Sequence, residues 1–243
     1  MSDASLFISN RKYSITENRI KNIFWYMGEC YLLLLNSKKQ YSKSYVKNHT
    51  SYHFEEFLRF RFVEDFLIPN KERLKRRTSL LDEISFTAET QKEFIDSYDQ
   101  KQKVDKIDIF VSRLGLSGIW GDCEEKIYFA VECKRITGTR DVALYVGDIK
   151  KFTNRMYLDV RLPFEGQLGF VESKLISHEE IVKKINLKLQ HQKEIATDLP
   201  LEHLVLNDNI TGSYISKHKR NTINKEPFTV YHMFLDFWNI ITD

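Results

Sequence analysis

Apolar residues that recur at helical spacing indicate two long helices near the start of the chain. The first covers residues 14–37, where Ile20, Phe24 and Met27 share a face and Ser14 or Thr16 can act as the N-cap. The second covers residues 53–68 and ends before a proline. Apolar side chains lie around most of this second helix, so we expect it to be covered on several sides.

Further along, short alternating or continuous apolar segments predict strands, and two segments with helical spacing separate them. We predict strands at 84–88, 107–111, 126–136, 167–171, 213–219 and 228–234, and helices at 141–157 and 177–195. Residues 89–104 are polar and are interpreted as a loop or a short helix. This order of elements predicts a mixed α/β fold.

Composition indicates a single folded domain over residues 1–243. The chain has 243 residues, 42% of them hydrophobic, with few prolines or glycines to form a linker. Its net charge of +3 is too small to indicate a nucleic-acid-binding protein. Three cysteines without a paired pattern favour the reducing cytoplasm, and neither a signal peptide nor a membrane span is predicted.

Charged residues occur inside two of the predicted strands. Glu132 and Lys134 alternate with apolar neighbours and share one face of a strand, while Cys133 faces the other way. Asp108 lies in the preceding strand and can approach Glu132 across a hairpin; Asp105 is the alternative acid. Two adjacent carboxylates repel each other unless a hard cation such as Mg²⁺ lies between them. The competing interpretation is an ordinary charge pair on an exposed edge strand.

These residues resemble the signature of the PD-(D/E)XK nuclease superfamily. The resemblance lies in Ile107-Asp108 and Val131-Glu132-Cys133-Lys134, with Ile107 in place of the signature's proline. It implies a restriction-endonuclease-like fold, a central mixed sheet flanked by helices, with its core at about residues 53–172. The N-terminal helical arm (about 14–37) and a C-terminal helix with strands (about 177–243) are then additions. It also implies that Asp108 and Glu132 bind Mg²⁺ or Mn²⁺, and that Lys134 positions or helps to deprotonate the attacking water.

The same resemblance implies a further glutamate from the preceding helix. Glu55 and Glu56 are the candidates, with Glu64 and Asp65 behind them. The alternative for each is an ion pair with an arginine of the same helix.

Other polar residues are candidates for contacts to nucleic acid. Basic residues follow the proposed site, and the alternative for them is an exposed helix face. Three polar residues alternate along the strand at 213–219 and directly after it, and the alternative for them is a plain exposed strand. They are Arg135, Arg140, Lys150 and Lys151 in the first group, and Ser216, His218 and Arg220 in the second.

The leading hypothesis is a Mg²⁺-dependent endonuclease that acts on DNA, with restriction or defence against foreign DNA as its role and repair or recombination as the alternative. The alternative is a nuclease-fold subunit that binds nucleic acid or assembles with partners, and whose own site is silent or activated by a partner. Target choice then comes from loops, from homo-oligomers or from another subunit. A nucleotide hydrolase is less favoured because the chain has no glycine-rich phosphate loop.

Overall fold

A mixed β-sheet forms the centre of the protein. We describe it from a computed structural model that covers residues 3–75, 84–157, 159–222 and 224–243. Over these ranges eight strands follow the order β5-β2-β3-β4-β7-β10-β9-β8, and β6 pairs with β4 as a ninth. The central pairs β4–β7 and β7–β10 are parallel, and the flanking pairs are antiparallel. The mixed α/β prediction is therefore confirmed.

The helices lie on both sides of this sheet, and a short second sheet pairs the segment after α1 with the C-terminal residues. The helices are α1 (Asp3–Asn36), α2 (Lys43–His49), α3 (Phe54–Phe62), α4 (Glu72–Lys75), α5 (Ser117–Trp120), α6 (Val142–Asn154) and α7 (His178–His191). The strands of the large sheet are β2 (Ser85–Asp96), β3 (Gln102–Ser112), β4 (Ile127–Ile136), β5 (Arg155–Tyr157), β6 (Val160–Arg161), β7 (Phe164–Val171), β8 (Ala196–His203), β9 (Ser213–Lys219) and β10 (Pro227–Asp236). The short sheet pairs β1 (Tyr41–Ser42) with β11 (Ile241–Thr242).

Alternation along the central strands gives the sheet one apolar face and one mixed face. Phe129, Val131 and Cys133 of β4 belong to the core that packs under α1 and α3. Gly166 of β7 lies on the same face, where a Cβ atom would come within 2.7 Å of the Val131 side chain. The intervening residues of these strands lie on the opposite face of the sheet, where α6 and α7 pack, and Glu132 and Lys134 of β4 are among them.

The helix predicted at 53–68 is confirmed, but the predicted start of the first helix is wrong. α3 continues as a π-helical segment over Val63–Leu67, and the helical conformation stops before Pro69. α1 begins at Asp3 rather than at residue 14, so neither Ser14 nor Thr16 is an N-cap. The Thr16 hydroxyl instead donates to the carbonyl of Lys12 one turn earlier, which satisfies it inside the helix.

Residues 89–104 form strands, contrary to the prediction of a loop or short helix. β2 and β3 are a long antiparallel hairpin whose register pairs Ala88 with Ile109 and Thr90 with Ile107. Between these pairs Glu89 has a left-handed backbone with φ of 60°. This conformation is uncommon for a residue other than glycine, and it places Glu89 opposite Asp108 in the hairpin.

The remaining predicted elements differ from the structure mainly at their ends. The helix predicted at 141–157 ends at Asn154, where β5 begins, and the one predicted at 177–195 ends at His191. Ser177 is the N-cap of α7 and forms a capping box with Glu180. The edge strand β8 has no counterpart among the predicted strands. Among the described residues, no helix has the length and apolar character needed to cross a membrane.

Candidate active site

Asp108 and Glu132 lie side by side on neighbouring strands. The register of β3 and β4 pairs Ile109 with Val131, which puts Asp108 and Glu132 one position further along. The backbone N–H of Cys133 donates to Oδ2 of Asp108 at 2.8 Å. Both carboxylates are buried, with 7% of Asp108 and 3% of Glu132 exposed. The structure thus brings together the two acids on which the metal hypothesis depends.

Glu132 is a buried carboxylate that lacks a full set of partners. Its Oε1 has no hydrogen-bond donor among the described residues, and Nη1 of Arg155 is 4.0 Å away. Burial raises the pKa of Glu132 well above its usual range, and the charges of Asp108 and Asp148 raise it further. Without a cation between the acids, uptake of a proton by Glu132 would relieve this repulsion.

Arg59 of α3 is the cation that neutralises Asp108. Its guanidinium bridges Asp108 and Glu89, and only 2% of the Arg59 side chain is exposed. Arg59 and Arg61 were the alternative partners for the carboxylates of their own helix, whereas the partners of Arg59 come from β2 and β3. One oxygen of Asp108 is therefore taken by Arg59 and the other by the N–H of Cys133.

Lys134 lies on the same face as Glu132, between two further carboxylates. Its Nζ is 3.3 Å from Oε1 of Glu55 and 3.4 Å from Oδ2 of Asp148. Burial lowers the pKa of Lys134, but the charges of Asp148 and Glu55 outweigh burial and raise it. In the metal-free protein Lys134 is consequently protonated at neutral pH, so it can donate hydrogen bonds to a water or a phosphate.

Of the candidate helix carboxylates, Glu55 is the one beside this group. It accepts from Lys134 and, at 3.0 Å, from the backbone N–H of Arg135. Glu56 instead closes the capping box of α3 at His53 and binds Lys106 at 2.9 Å. The two carboxylates behind them lie away from the site: Asp65 pairs with Lys39 at 2.9 Å, and Glu64 is exposed.

Two buried polar residues of the site were missed by the sequence analysis. Asp148 of α6 is 1% exposed and binds Lys151 at 2.6 Å as well as Lys134. It lies three residues after Tyr145 and four before Phe152, so helical spacing alone places it on the buried face. Gln167 of β7 is fully buried and pairs in register with Glu132. The signal for it was a polar residue directly before the apolar segment of the predicted strand at 167–171.

Asp105, the alternative acid, belongs to a different contact. It forms an ion pair with Arg155 of β5, and both side chains are largely buried. Asp105 is therefore separated from Glu132 by the arginine rather than adjacent to it, which leaves Asp108 as the acid beside Glu132.

The basic residues after the site are mostly paired with acids. Arg135 binds Glu172, with Nη2 2.8 Å from Oε2, and Lys150 binds Glu194. Lys151 is held by Asp148, as described above. Arg140 is exposed, and its position before α6 leaves it accessible to a ligand.

Ser216, His218 and Arg220 are buried, contrary to the expected exposed polar strand. Arg220 donates to the carbonyls of Phe152 and Leu162, both at 3.0 Å. The Ser216 hydroxyl lies 2.8 Å from Nε2 of both His218 and His232. These residues therefore hold α6 and the strands together, and nucleic acid does not reach them in this conformation.

The two histidines form part of a buried chain of hydrogen bonds. It continues from His232 Nδ1 to the Tyr145 hydroxyl at 3.0 Å, and from His218 Nδ1 to Thr197 at 3.1 Å. Burial lowers the pKa of His218 to about 4 and that of His232 well below its usual range. Both imidazoles are therefore neutral at pH 7, and they connect the edge strand β8 to helix α6.

Comparison with known proteins adds no relative. No family model, curated protein or solved structure matches this chain. Within the described part of the chain, no group of three or more His, Cys, Asp or Glu side chains is arranged to hold a metal ion. The argument for function therefore depends on the pair Asp108 and Glu132 and on the residues around it.

Proposed function

We propose that the protein is a Mg²⁺-dependent endonuclease that hydrolyses phosphodiester bonds, with DNA as its substrate. One observation carries the proposal: Asp108 and Glu132 lie together in a buried position, and Glu132 has an oxygen without a donor among the described residues. Buried charge without a partner is costly, so such a pair is retained where a cation or a proton completes it.

The residues fit a hard divalent cation. Asp108 and Glu132 would hold it through carboxylate oxygens, which are the ligands that Mg²⁺ and Mn²⁺ prefer. Two protein carboxylates leave coordination positions for water and for a phosphate oxygen. Such an ion supplies polarisation of the phosphoryl group and a lower pKa for a bound water.

The side chains around the pair have separate tasks in this proposal. The Lys134 ammonium donates hydrogen bonds to the attacking water or to a phosphate oxygen, where it offsets negative charge that develops during the reaction. Glu55 and Asp148 fix its position from α3 and from α6. The α6 side chains cover Glu132 from bulk water, which strengthens every charge interaction at the site.

The fold supports the same proposal. A helix, α3, precedes an antiparallel β3–β4 pair that carries the acids, and β7 lies parallel to β4 after the crossover helix α6. This arrangement agrees with the restriction-endonuclease-like fold that the signature implies. In this proposal DNA contacts come from Arg140 and from Lys150 and Lys151, which would exchange their acidic partners for a phosphate. Three free cysteines agree with a cytoplasmic protein acting in restriction or defence.

A second candidate is a nuclease-fold subunit whose site is silent until a partner or nucleic acid activates it. The contact between Arg59 and Asp108 favours this candidate, because an acid that is already paired with a buried arginine binds a cation less readily. Activation would then require that Arg59 moves away from Asp108.

Cleavage of labelled nucleic acids distinguishes these functions. Duplex DNA, single-stranded DNA and RNA are each incubated with Mg²⁺, Mn²⁺ or Ca²⁺, with Glu132→Ala and Lys134→Ala as the test variants. Lys219→Met is the matched control, because Lys219 is half-exposed, pairs with Asp198 outside the site and has no proposed contact to DNA. We expect metal-dependent cutting of DNA that both test variants lose by at least about a hundredfold and the control retains. Unchanged cutting by both test variants would refute the site, and DNA binding without cutting would favour the silent subunit.

A further inference from the structure

Four neighbouring strands carry a row of buried polar side chains beneath α6. Asp108 on β3, Glu132 on β4, Gln167 on β7 and His232 on β10 occupy successive positions of this row, which the strand register fixes. Both ends of the row are satisfied: Asp108 by Arg59 and His232 by a hydroxyl at each nitrogen. The two central members, Glu132 and Gln167, are not.

The orientation of the Gln167 amide is fixed by its partner on α6. Nε2 donates to the backbone carbonyl of Tyr145 at 2.8 Å. A carbonyl only accepts, so the amide atom at this distance is the nitrogen and the other one is the oxygen. Oε1 is buried and has no donor among the described residues.

An amide oxygen in this position requires a donor or a cation. Leaving a buried acceptor unsatisfied costs free energy, and Gln167 has no exposed surface through which bulk water could reach it. His232, its neighbour on β10, already uses both ring nitrogens, so it cannot donate to Gln167. The neighbour on the other side is Glu132, whose Oε1 is the second unpartnered oxygen of the row.

We propose that the amide oxygen of Gln167 is the third protein ligand of the divalent cation held by Asp108 and Glu132. This inference rests on the proposed metal-dependent function and adds a residue to it. Neutral amide oxygens are ordinary ligands of hard cations, and an amide does not add to the negative charge of the site. The bond from Nε2 to Tyr145 holds the oxygen in place before the ion arrives.

The test is the affinity for Mn²⁺, measured by calorimetry and by the electron paramagnetic resonance signal of free Mn²⁺. Gln167→Met removes the amide oxygen and keeps a side chain of similar volume. Gln167→Asn keeps the oxygen on a side chain that is one methylene shorter. Tyr145→Phe is the matched control, because it removes a hydroxyl from His232 in the same row and leaves the Tyr145 carbonyl. Melting temperature in EDTA is recorded for each variant, so that a loss of folding is not mistaken for a loss of binding.

We expect both Gln167 variants to bind Mn²⁺ at least about tenfold more weakly than the wild type, with the Tyr145→Phe variant within about threefold of it. Should Gln167→Met not fold, Gln167→Asn alone decides. Wild-type affinity in a folded Gln167 variant would overturn the inference, since the oxygen would then serve a structural water, while the nuclease proposal would stand. A wild-type protein that binds no Mn²⁺ would overturn both.

Discussion

The guanidinium of Arg59 binds the carboxylate of Asp108 in the interior of the protein, so the acid beside Glu132 already has a cationic partner. Arg59 also binds Glu89, whose left-handed backbone directs it to the same place in the β2–β3 hairpin. Before any metal binds, Arg59 and Lys134 therefore neutralise part of the negative charge of the site.

Replacement of Arg59 should destabilise the metal-free protein. Arg59→Met leaves Asp108 and Glu89 without their cation, and we expect a loss of about 3–5 kcal/mol in the free energy of unfolding. Because a divalent cation can replace the lost charge, Mg²⁺ should restore more stability to this variant than to the wild type. Urea unfolding with EDTA and with Mg²⁺ measures both effects.

Arg61→Met is the control for this experiment, because Arg61 lies on the same helix, is half-exposed and approaches Asp65 at 3.8 Å only. Its removal should cost less than about 1 kcal/mol. An equal loss in the two variants would show that Arg59 contributes packing rather than charge neutralisation.

Glu132→Gln should stabilise the metal-free protein in a pH-dependent manner. The folded-state pKa of Glu132 is raised, so its contribution to stability is present below the unfolded pKa of about 4.3 and is lost as pH rises through the folded value. A permanently neutral glutamine avoids this loss. In EDTA we expect the variant to exceed the wild type by at least about 1.4 kcal/mol at pH 8, and by less at pH 5. A difference that does not grow with pH would show that Glu132 is not held protonated in the folded protein.

His218 should make the protein less stable in acid. Its folded-state pKa is lowered to about 4, so its contribution is present above the unfolded value of about 6.5 and is lost as pH falls through about 4. His218→Gln removes this proton uptake on unfolding. The dependence of the unfolding free energy on pH between 6.5 and 4.5 should then weaken by up to about 1.4 kcal/mol per pH unit.

Urea midpoints at three pH values measure this slope, with His49→Gln as a control for the loss of an exposed histidine. If the unfolding free energy of the variant depends on pH as steeply as that of the wild type, His218 takes up a proton equally well in the folded and unfolded protein.

Asp148 should act on the reaction through Lys134. Asp148→Asn removes the charge that holds the ammonium from α6, and we expect cleavage under saturating Mg²⁺ to slow by about 10–100-fold while Mn²⁺ affinity changes less than threefold. Combined with Lys134→Met it should cause no further loss, because the two residues then act as one unit. Glu194→Gln, the exposed partner of Lys150, is the control. If the losses of cleavage rate in the two single variants add in the double variant, Asp148 does not act through Lys134.

The sequence predicted the central strands and the residues on them well, for a physical reason. In β4 the alternation fixes which side chains share a face, so Glu132 and Lys134 had to lie together and Cys133 had to pack into the core under α1. A largely apolar segment predicted β4, and alternation of apolar and polar residues predicted β9 and β10.

Alternation and apolar segments could not predict the β2–β3 hairpin or the buried chain of hydrogen bonds through Ser216. Residues 89–104 are polar because the far end of this hairpin projects into solvent, and Glu89 interrupts the alternation with a left-handed backbone. The alternation of Ser216 and His218 is typical of an exposed strand, whereas in the fold His218 contacts Thr197 of β8 and Ser216 contacts His232 of β10. The partner of Asp108 was hidden for a similar reason, because Arg59 is distant in sequence and meets Asp108 only in the folded chain.

The most direct test of the metal site is the anomalous scattering of crystals soaked in Mn²⁺. We predict a single strong peak within about 2.5 Å of a carboxylate oxygen from each of Asp108 and Glu132, with Arg59 displaced from the oxygen that faces the ion. The absence of a peak between these carboxylates at saturating Mn²⁺, with Arg59 still bound to Asp108, would contradict the account.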